Sequence, residues 1–518
     1  MKIATNSYFD FYQDITDEDF LDIFTNEYFL KEWKFQSKNL EYLFKYIKDL
    51  KCKTIIVEKN YIDRDYLIDY SKYYVRCLRD YHRKCKRMHF FNDKKIFNPD
   101  DFINLISNSS ASISVQQLND AYLGFLVIRP LPETIIARTI LQQHENDVGA
   151  CRTCVKDYEV NLYGISLNIK NSLAFQEQDA VTSACATSAL WSAFHKTHEL
   201  FKLGNPPTPS QITDYATEVL YGSRPITSRG LTIDQMCQAI HKVGLEPHVI
   251  SLMKTTTITP VLSFIYSYIR GGIPVILVFT PSSGGKHAIT ISGYKLGDVP
   301  SVSNEVDQQS ASSYCKLIGL RISKFYVHDD QFGPFAEMDP IDGDTSCPIN
   351  FQIPWNNIPI WGKMKPYALI IPLYPKIRVC FLSVYKWISY LNLILGMSSN
   401  IQSKDIEWEI YFSTLKSYKE DVRNNYAKYD KQKLLDIQLT EHPRFVWRCI
   451  GRHDKKDILE VIADATDTPK SLFLYDMVFF KSKFKNDLKT YLDDQIQREY
   501  TKTVYTENFV KFLQKSVI

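Results

Sequence analysis

No apolar run in this 518-residue chain approaches the roughly 20 residues that a membrane-spanning helix needs. The most apolar late stretch, Trp387 to Met397, is bounded by Lys386 and the polar tail Ser398-Ser-Asn-Ile-Gln-Ser, and reads as a core helix. The opening residues Met1-Lys-Ile-Ala-Thr-Asn-Ser-Tyr-Phe-Asp lack the apolar segment of a secretory signal. Charge bias is missing too: 62 basic against 59 acidic side chains leave a net charge of +3, which makes no electrostatic case for nucleic acid or a membrane as partner. Eleven cysteines, odd in number and scattered, lack the pairing of a disulfide framework and fit the reducing cytoplasm. Cys151-Arg-Thr-Cys154 is the one close pair. With no second such pair to complete a zinc site, it reads as two unrelated thiols. No internal repeat is present.

The chain is too long for a single core, and its pattern changes twice. Residues 1–160 read as an α/β region serving as scaffold or substrate recruitment. Asp17-Glu-Asp-Phe-Leu-Asp-Ile-Phe and Lys38-Asn-Leu-Glu-Tyr-Leu-Phe-Lys-Tyr-Ile have helical spacing, Lys53-Thr-Ile-Ile-Val-Glu58 reads as a strand, and Asp63 caps a helix. The basic run Arg83-Lys-Cys-Lys-Arg87, with Arg76 and Arg79 upstream, reads as one solvated helix face. Residues 161–370 hold the candidate chemistry, with a helix capped by Ser210 and a polar insertion at 297–313. Residues 371–518 return to strands and helices of an α/β region, with Asp464-Ala-Thr-Asp467 as a cap or turn.

The central span carries three residues whose order matters. Cys185 stands where the polar stretch Phe175-Gln-Glu-Gln-Asp-Ala-Val-Thr-Ser-Ala turns into the small, apolar helix Ala186-Thr-Ser-Ala-Leu-Trp-Ser-Ala-Phe194. A thiol at a helix N-terminus is favoured as thiolate. Gly271-Gly-Ile-Pro-Val-Ile-Leu-Val-Phe279 reads as a buried strand, and His287 follows the loop Pro281-Ser-Ser-Gly-Gly-Lys at the mouth of the next. Phe325-Tyr-Val-His is a further strand that ends in Asp329-Asp330. Cysteine, histidine and carboxylate, each at the end of an element, are in the order of a thiol triad. His195 and His198, one turn apart, read as a partly exposed helix surface rather than a metal site, and His328 points to the face opposite Asp329.

These pieces, together with Ser228-Arg-Gly-Leu-Thr-Ile-Asp-Gln-Met-Cys-Gln-Ala-Ile-His-Lys-Val-Gly-Leu245, resemble the papain-fold cysteine peptidases over about 170–345, and most closely the bacteriocin-leader-peptidase branch. The resemblance implies an α+β fold in which the cysteine helix packs on an antiparallel sheet carrying His287 and Asp329, flanked by the N- and C-terminal regions. It implies a peptidase that attacks with Cys185, transfers protons through His287 and orients that ring with Asp329, Asp330 being the alternative third member. The family's oxyanion glutamine sits six residues before the cysteine, where this chain has Asp179. Gln178 takes the role if the loop holds one extra residue, and Gln176 is the second candidate. No metal or organic cofactor is implied. The expected partner is a protein or peptide substrate, with a further protein partner admitted by the flanking regions. Two alternatives stay open: acyl transfer on the same fold, transglutaminase-like or peptide-ligating, and a binding protein on a degenerate protease fold.

Overall fold

In a computed structural model, the β-branched run Thr54-Ile-Ile-Val57 opens a strand, Thr54–Tyr61, that is buried on both faces at this end. The structure describes residues 2–24, 38–93, 98–109, 112–131, 134–144, 148–179, 184–218, 230–252, 261–300, 302, 315–344, 347–399, 401–468, 472–496 and 504–517. That strand is the third of a six-stranded antiparallel meander made by Lys2–Thr5, Phe9–Gln13, Thr54–Tyr61, Cys85–Phe91, Tyr122–Ile128 and Ile136–Leu141. Alternation divides its side chains between two layers. Ile55 and Val57 pack with Phe20, Leu40, Leu43 and Ile47 of the helices Asp17–Phe24 and Lys38–Asp49. Ile56, Phe9 and Phe125 join a core continuous with the hairpin Lys156–Leu162/Ile165–Ser172 and with the middle of the chain.

The basic run at 83–87 is not a helix face. It enters the strand Cys85–Phe91, where Arg87 is buried opposite Glu58 and pairs with it. The apolar run Met88-His-Phe-Phe91 and this cross-strand ion pair outweigh the charge density that suggested a solvated surface.

The middle of the chain forms a larger antiparallel sheet, in the order Glu246–Ser251, Lys365–Leu373, Val275–Thr280, His287–Leu296, Ile322–Asp329, Gly333–Asp344 and Cys347–Gln352. Ala150–Cys151 pairs beside His287–Leu296. The helix Cys185–Phe201 lies against it, and the Thr290 hydroxyl donates to the Ala189 carbonyl at 2.7 Å. Its alanines at 186, 189 and 193 allow that approach. The helix Pro209–Thr217 is capped by Thr208, one residue beyond a proline pair, with Gln211 completing a capping box; Ser210 lies inside the first turn. Most of the polar insertion expected at 297–313 lies outside the described residues.

A five-stranded sheet closes the chain: Lys316–Leu317, Glu407–Thr414, Phe445–His453, Lys456–Asp464 and Leu474–Phe479. Its first strand is parallel to the second and comes from the middle region, so the last two sheets are joined through shared chain. The helix Phe381–Ser398 covers it with Phe381, Ile388, Leu391 and Leu395. Asp464 accepts from the Thr466 amide and hydroxyl, both at 2.7 Å, which makes the expected turn. The fold is α+β with antiparallel sheets, and among the described residues no helix is long and apolar enough to cross a membrane.

Candidate active site

Cys185 is the first residue of its helix. Ala184 before it is extended and offers no side-chain cap, so the first-turn amides lack the side-chain partner that a serine or aspartate would supply. The thiol is half-buried. Across from it, Gly284 and Gly285 take positive φ values (88° and 78°) in the turn that returns the chain, leaving His287 as the first residue of the next strand, paired with Phe279.

Register explains the acid. Thr290 pairs with His328, so Asp329 falls opposite Ile289, a diagonal neighbour of His287 on the same face. His287 Nε2 donates to Asp329 Oδ1 at 2.9 Å. Cys185 lies beside the same imidazole, and its thiol is one of the groups that favour the charged ring. Asp329 is fully buried and further held by the Gln331 amide at 3.0 Å and by Trp361 Nε1 at 2.6 Å. Burial opposes a charged His287, but the charge and hydrogen bond of Asp329, the bond to Cys185 and the charge of Asp330 outweigh it, and the ring's pKa is raised well above its ordinary value.

Trp361 was not singled out by sequence, and it does two things. Its indole anchors the second oxygen of Asp329, and its ring lies 4.6 Å from the imidazole at 37°, covering the His–Asp bond, while Phe279 stands edge-on at 5.4 Å. The signal that could have found it is the Trp361-Gly362 pair in a turn-rich stretch just before a strand.

Asp330 is buried with Oδ1 3.5 Å from His287 Nε2, and neither carboxylate oxygen has a hydrogen-bond partner among the described residues. Burial, then Asp329 and Glu177, push its pKa up to about 7, against the opposing charge of His287. The acid turn is tied to the N-terminal region. Asn39 Nδ2 donates to the Asp330 carbonyl at 3.3 Å and to Glu177 at 3.1 Å, and the Tyr42 hydroxyl donates to the Pro334 carbonyl at 2.8 Å. Gly333 is required there, since a Cβ would lie 2.1 Å from the Tyr42 ring. No local signal in the sequence marks Asn39, Tyr42 or Glu177: Asn39 and Tyr42 matter through contacts made over a hundred residues away, and Glu177 through Asn39 and the Ile136 amide 41 residues before it.

The oxyanion candidates stand less clearly. Asp179, six residues before Cys185, is buried and accepts from the Tyr74 hydroxyl at 2.5 Å, with Arg129 4.0 Å away, so its carboxylate is committed to the N-terminal region. Gln178 is half-buried, and Gln176 is buried with its Nε2 unpartnered among the described residues; neither has a described contact with Cys185. Residues 180–183 lie outside the described residues.

His287, Asp329 and Asp330 are the one group of three potential metal ligands close enough to share an ion among the described residues. His287 and Asp329 spend their facing atoms on each other. His328 is buried away from the site, edge-on to Phe335 at 4.6 Å, and burial takes its pKa down to about 3. His195 and His198 are buried rather than partly exposed: His195 packs against Trp191 and the hairpin residue Tyr158, and His198 lies beside Phe194 and near Pro206 and Pro207. Cys151 and Cys154 are free thiols, one exposed and one buried.

No family model matches the chain, and no curated protein matches it. A solved structure described as an N-terminal dehydratase from the difficidin assembly line is 9% identical and aligns 48% of this chain with 98% of its own, at a TM-score of 0.09. A likeness that slight bears on neither fold nor site.

Proposed function

We propose that this chain is a thiol-dependent hydrolase with a papain-like catalytic core, cleaving a peptide or isopeptide bond in a protein or peptide. The observation that carries the reading is the line Cys185–His287–Asp329, in which the imidazole is bound to a buried carboxylate and lies beside a thiol at a helix start. The preference of His287 for its protonated form supports a thiolate–imidazolium pair.

In the reaction the Cys185 thiolate adds to the carbonyl carbon, and the negative charge moves to the carbonyl oxygen. The Cys185 amide, with Gln178 as the side-chain donor, binds that oxygen; a single such donor contributes roughly 3 to 4 kcal/mol. His287 protonates the leaving amine as the C–N bond breaks, which leaves a thioester. It then takes a proton from water, whose oxygen attacks the thioester; the C–S bond breaks and Cys185 leaves as the thiolate, which restores the thiolate–imidazolium pair. Asp329 and Trp361 hold the ring in the tautomer that faces the thiol. The flanking regions select the substrate, and the free state of the ten described cysteines supports a cytoplasmic setting.

Iodoacetamide at pH 6, followed by peptide mapping, tests the nucleophile. Cys185 should be alkylated well ahead of the exposed Cys77 and Cys151. Equal labelling of the three would remove it. Turnover in ¹⁸O-water with an added primary amine then separates the chemistries: label in the product carboxylate marks hydrolysis, and an amide adduct marks acyl transfer.

A further inference from the structure

The basic segment that leads into the strand Cys85–Phe91 has no role in the chemistry at Cys185. Between Val75 and Lys86 it carries five lysine or arginine side chains against one acid, Asp80, a local excess that the chain's net charge of +3 conceals. Arg76, Arg83 and Lys84 are exposed, and none has an acidic partner among the described residues. Arg83 and Lys84, with His82 and the half-buried Lys86, line a cavity of about 300 Å³ that they share with Ile128 and Pro130 and that no acidic side chain lines. Lys59 lines it too, but its ammonium is spent on Asp10 at 2.9 Å, the Thr5 hydroxyl at 3.0 Å and the Asn6 carbonyl at 2.7 Å.

The tip of the segment is apolar. Leu78 is fully exposed (106%), Val75 is 55% exposed, and Cys77 lies open between them. A single exposed leucine is ordinary on a protein surface. Here the exposure is built in, because both ends of the tip are pinned. Tyr74 is buried and its hydroxyl donates to Asp179 at 2.5 Å, while the His82 carbonyl accepts from the Tyr66 hydroxyl at 2.8 Å. One tight turn, Tyr74–Arg76, carries the chain outward between these anchors, and Leu78 is left with no neighbour to pack on.

Cations beside a projecting apolar tip match an anionic bilayer. Leucine and valine enter the headgroup layer, and arginine and lysine stay with the phosphates. A nucleic acid would answer the charge but not the leucine. Tyr81, the aromatic ring of the segment, is packed 5.0 Å from Tyr74 rather than left open to a base.

We propose that the segment Val75–Lys86 docks the protein on the surface of a membrane rich in anionic phospholipid. Val75 and Leu78 insert at the interface, and Arg76, Arg83 and Lys84 lie against the lipid phosphates.

Co-sedimentation of the full chain with vesicles of phosphatidylcholine, with and without about 30% phosphatidylserine, tests this without reference to the thiol chemistry. Binding to the anionic vesicles should exceed that to the neutral ones by roughly tenfold or more, and should weaken in about 500 mM salt. Leu78→Asp and the double change Arg83→Glu/Lys84→Glu should each weaken it by roughly tenfold or more. All three side chains are exposed, so the fold should survive; if one variant fails to fold, the other decides. Leu439→Asp, at an exposed leucine of the C-terminal region, should leave binding unchanged. On the vesicle, Cys77 should lose its labelling by iodoacetamide while the exposed Cys151 keeps it. No binding to anionic vesicles, equal binding to neutral ones, or Cys77 labelled as in the free protein would each overturn the assignment. So would binding that the charge reversal abolishes and Leu78→Asp leaves unchanged, the behaviour of a nucleic-acid or acidic-protein partner.

Discussion

The acid turn beside His287 and the ion network of the last sheet bury carboxylates to a similar depth and treat them in opposite ways. In the last sheet Glu460 is fully buried and accepts from Arg448 at 2.6 Å and Tyr429 at 3.0 Å, while Glu409 accepts from Tyr266, Arg270 and Arg452. Against the cost of burial, those arginines hold the Glu409 carboxyl below its ordinary range. At the acid turn, Asp330 and Glu177 are both pushed up to about 7, chiefly by burial, and Asp330 has no hydrogen bond to its carboxylate among the described residues. A network with every charge matched is a structural device. One that leaves Asp330 unmatched, while Glu177 is held by Asn39 and the Ile136 amide, gives up stability at that residue, as functional sites do.

Substitutions should therefore separate turnover from stability. Cys185→Ala and His287→Ala should each lower turnover by about 10⁴-fold or more; Cys185→Ala should keep the parent's melting temperature, whereas His287→Ala also takes from buried Asp329 its ring partner and should lower it. Asp329→Asn should retain a residual rate above both, because it orients rather than reacts. Full turnover in Asp329→Asn beside a dead Asp330→Asn would move the third role by one residue. Arg448→Ala is the mirror case. It strands Glu460 in the core, and urea unfolding should report a loss of roughly 3 to 5 kcal/mol, with activity per folded molecule unchanged.

How much of this was legible follows the range of the interactions. The Cys185 helix, the His287 strand and the strand ending at Asp329 were readable because each rests on local pattern: small residues after a polar loop, glycines before a β-branched run, an apolar run stopped by acids. The α+β class came from the family resemblance that these pieces carry. Arg83–Arg87 was misread because charge density is local evidence, whereas the pairing of Arg87 with Glu58 depends on a strand register 29 residues away. His195 and His198 were misjudged for the same reason: neither the hairpin beside His195 nor the loop near His198 carries a mark of where it packs. Trp361 and Asn39 reach the acid turn only in three dimensions.

The oxyanion donor gives a smaller effect than the triad. Gln178→Ala should lower turnover by about a hundredfold with substrate affinity largely kept, and Gln176→Ala should change it less. Steady-state kinetics on both variants in parallel decides between them. Small, equal effects would assign the hole to the uncapped amides of the cysteine helix alone.

The smallest effect should come from Asp330→Asn, and its sign is specific. A carboxyl whose pKa is raised on folding, from 3.8 to about 7, binds its proton more tightly in the native state than in the unfolded one. Between about pH 4 and pH 7 the native state therefore holds more protons, so stability falls as pH rises through that window and levels off above it. The amide that replaces the carboxyl in this variant carries no such charge. The variant should match the parent near pH 4 and be more stable than it at pH 8, measured by urea unfolding across the series. Asp329 still faces the imidazole at 2.9 Å, so turnover should stay within a few fold of the parent. A parent stability that rises between pH 4 and pH 7 while Asp330→Asn flattens it would mean that Asp330 is matched by His287 as a full partner. The contrast with the last sheet would then disappear at its sharpest point.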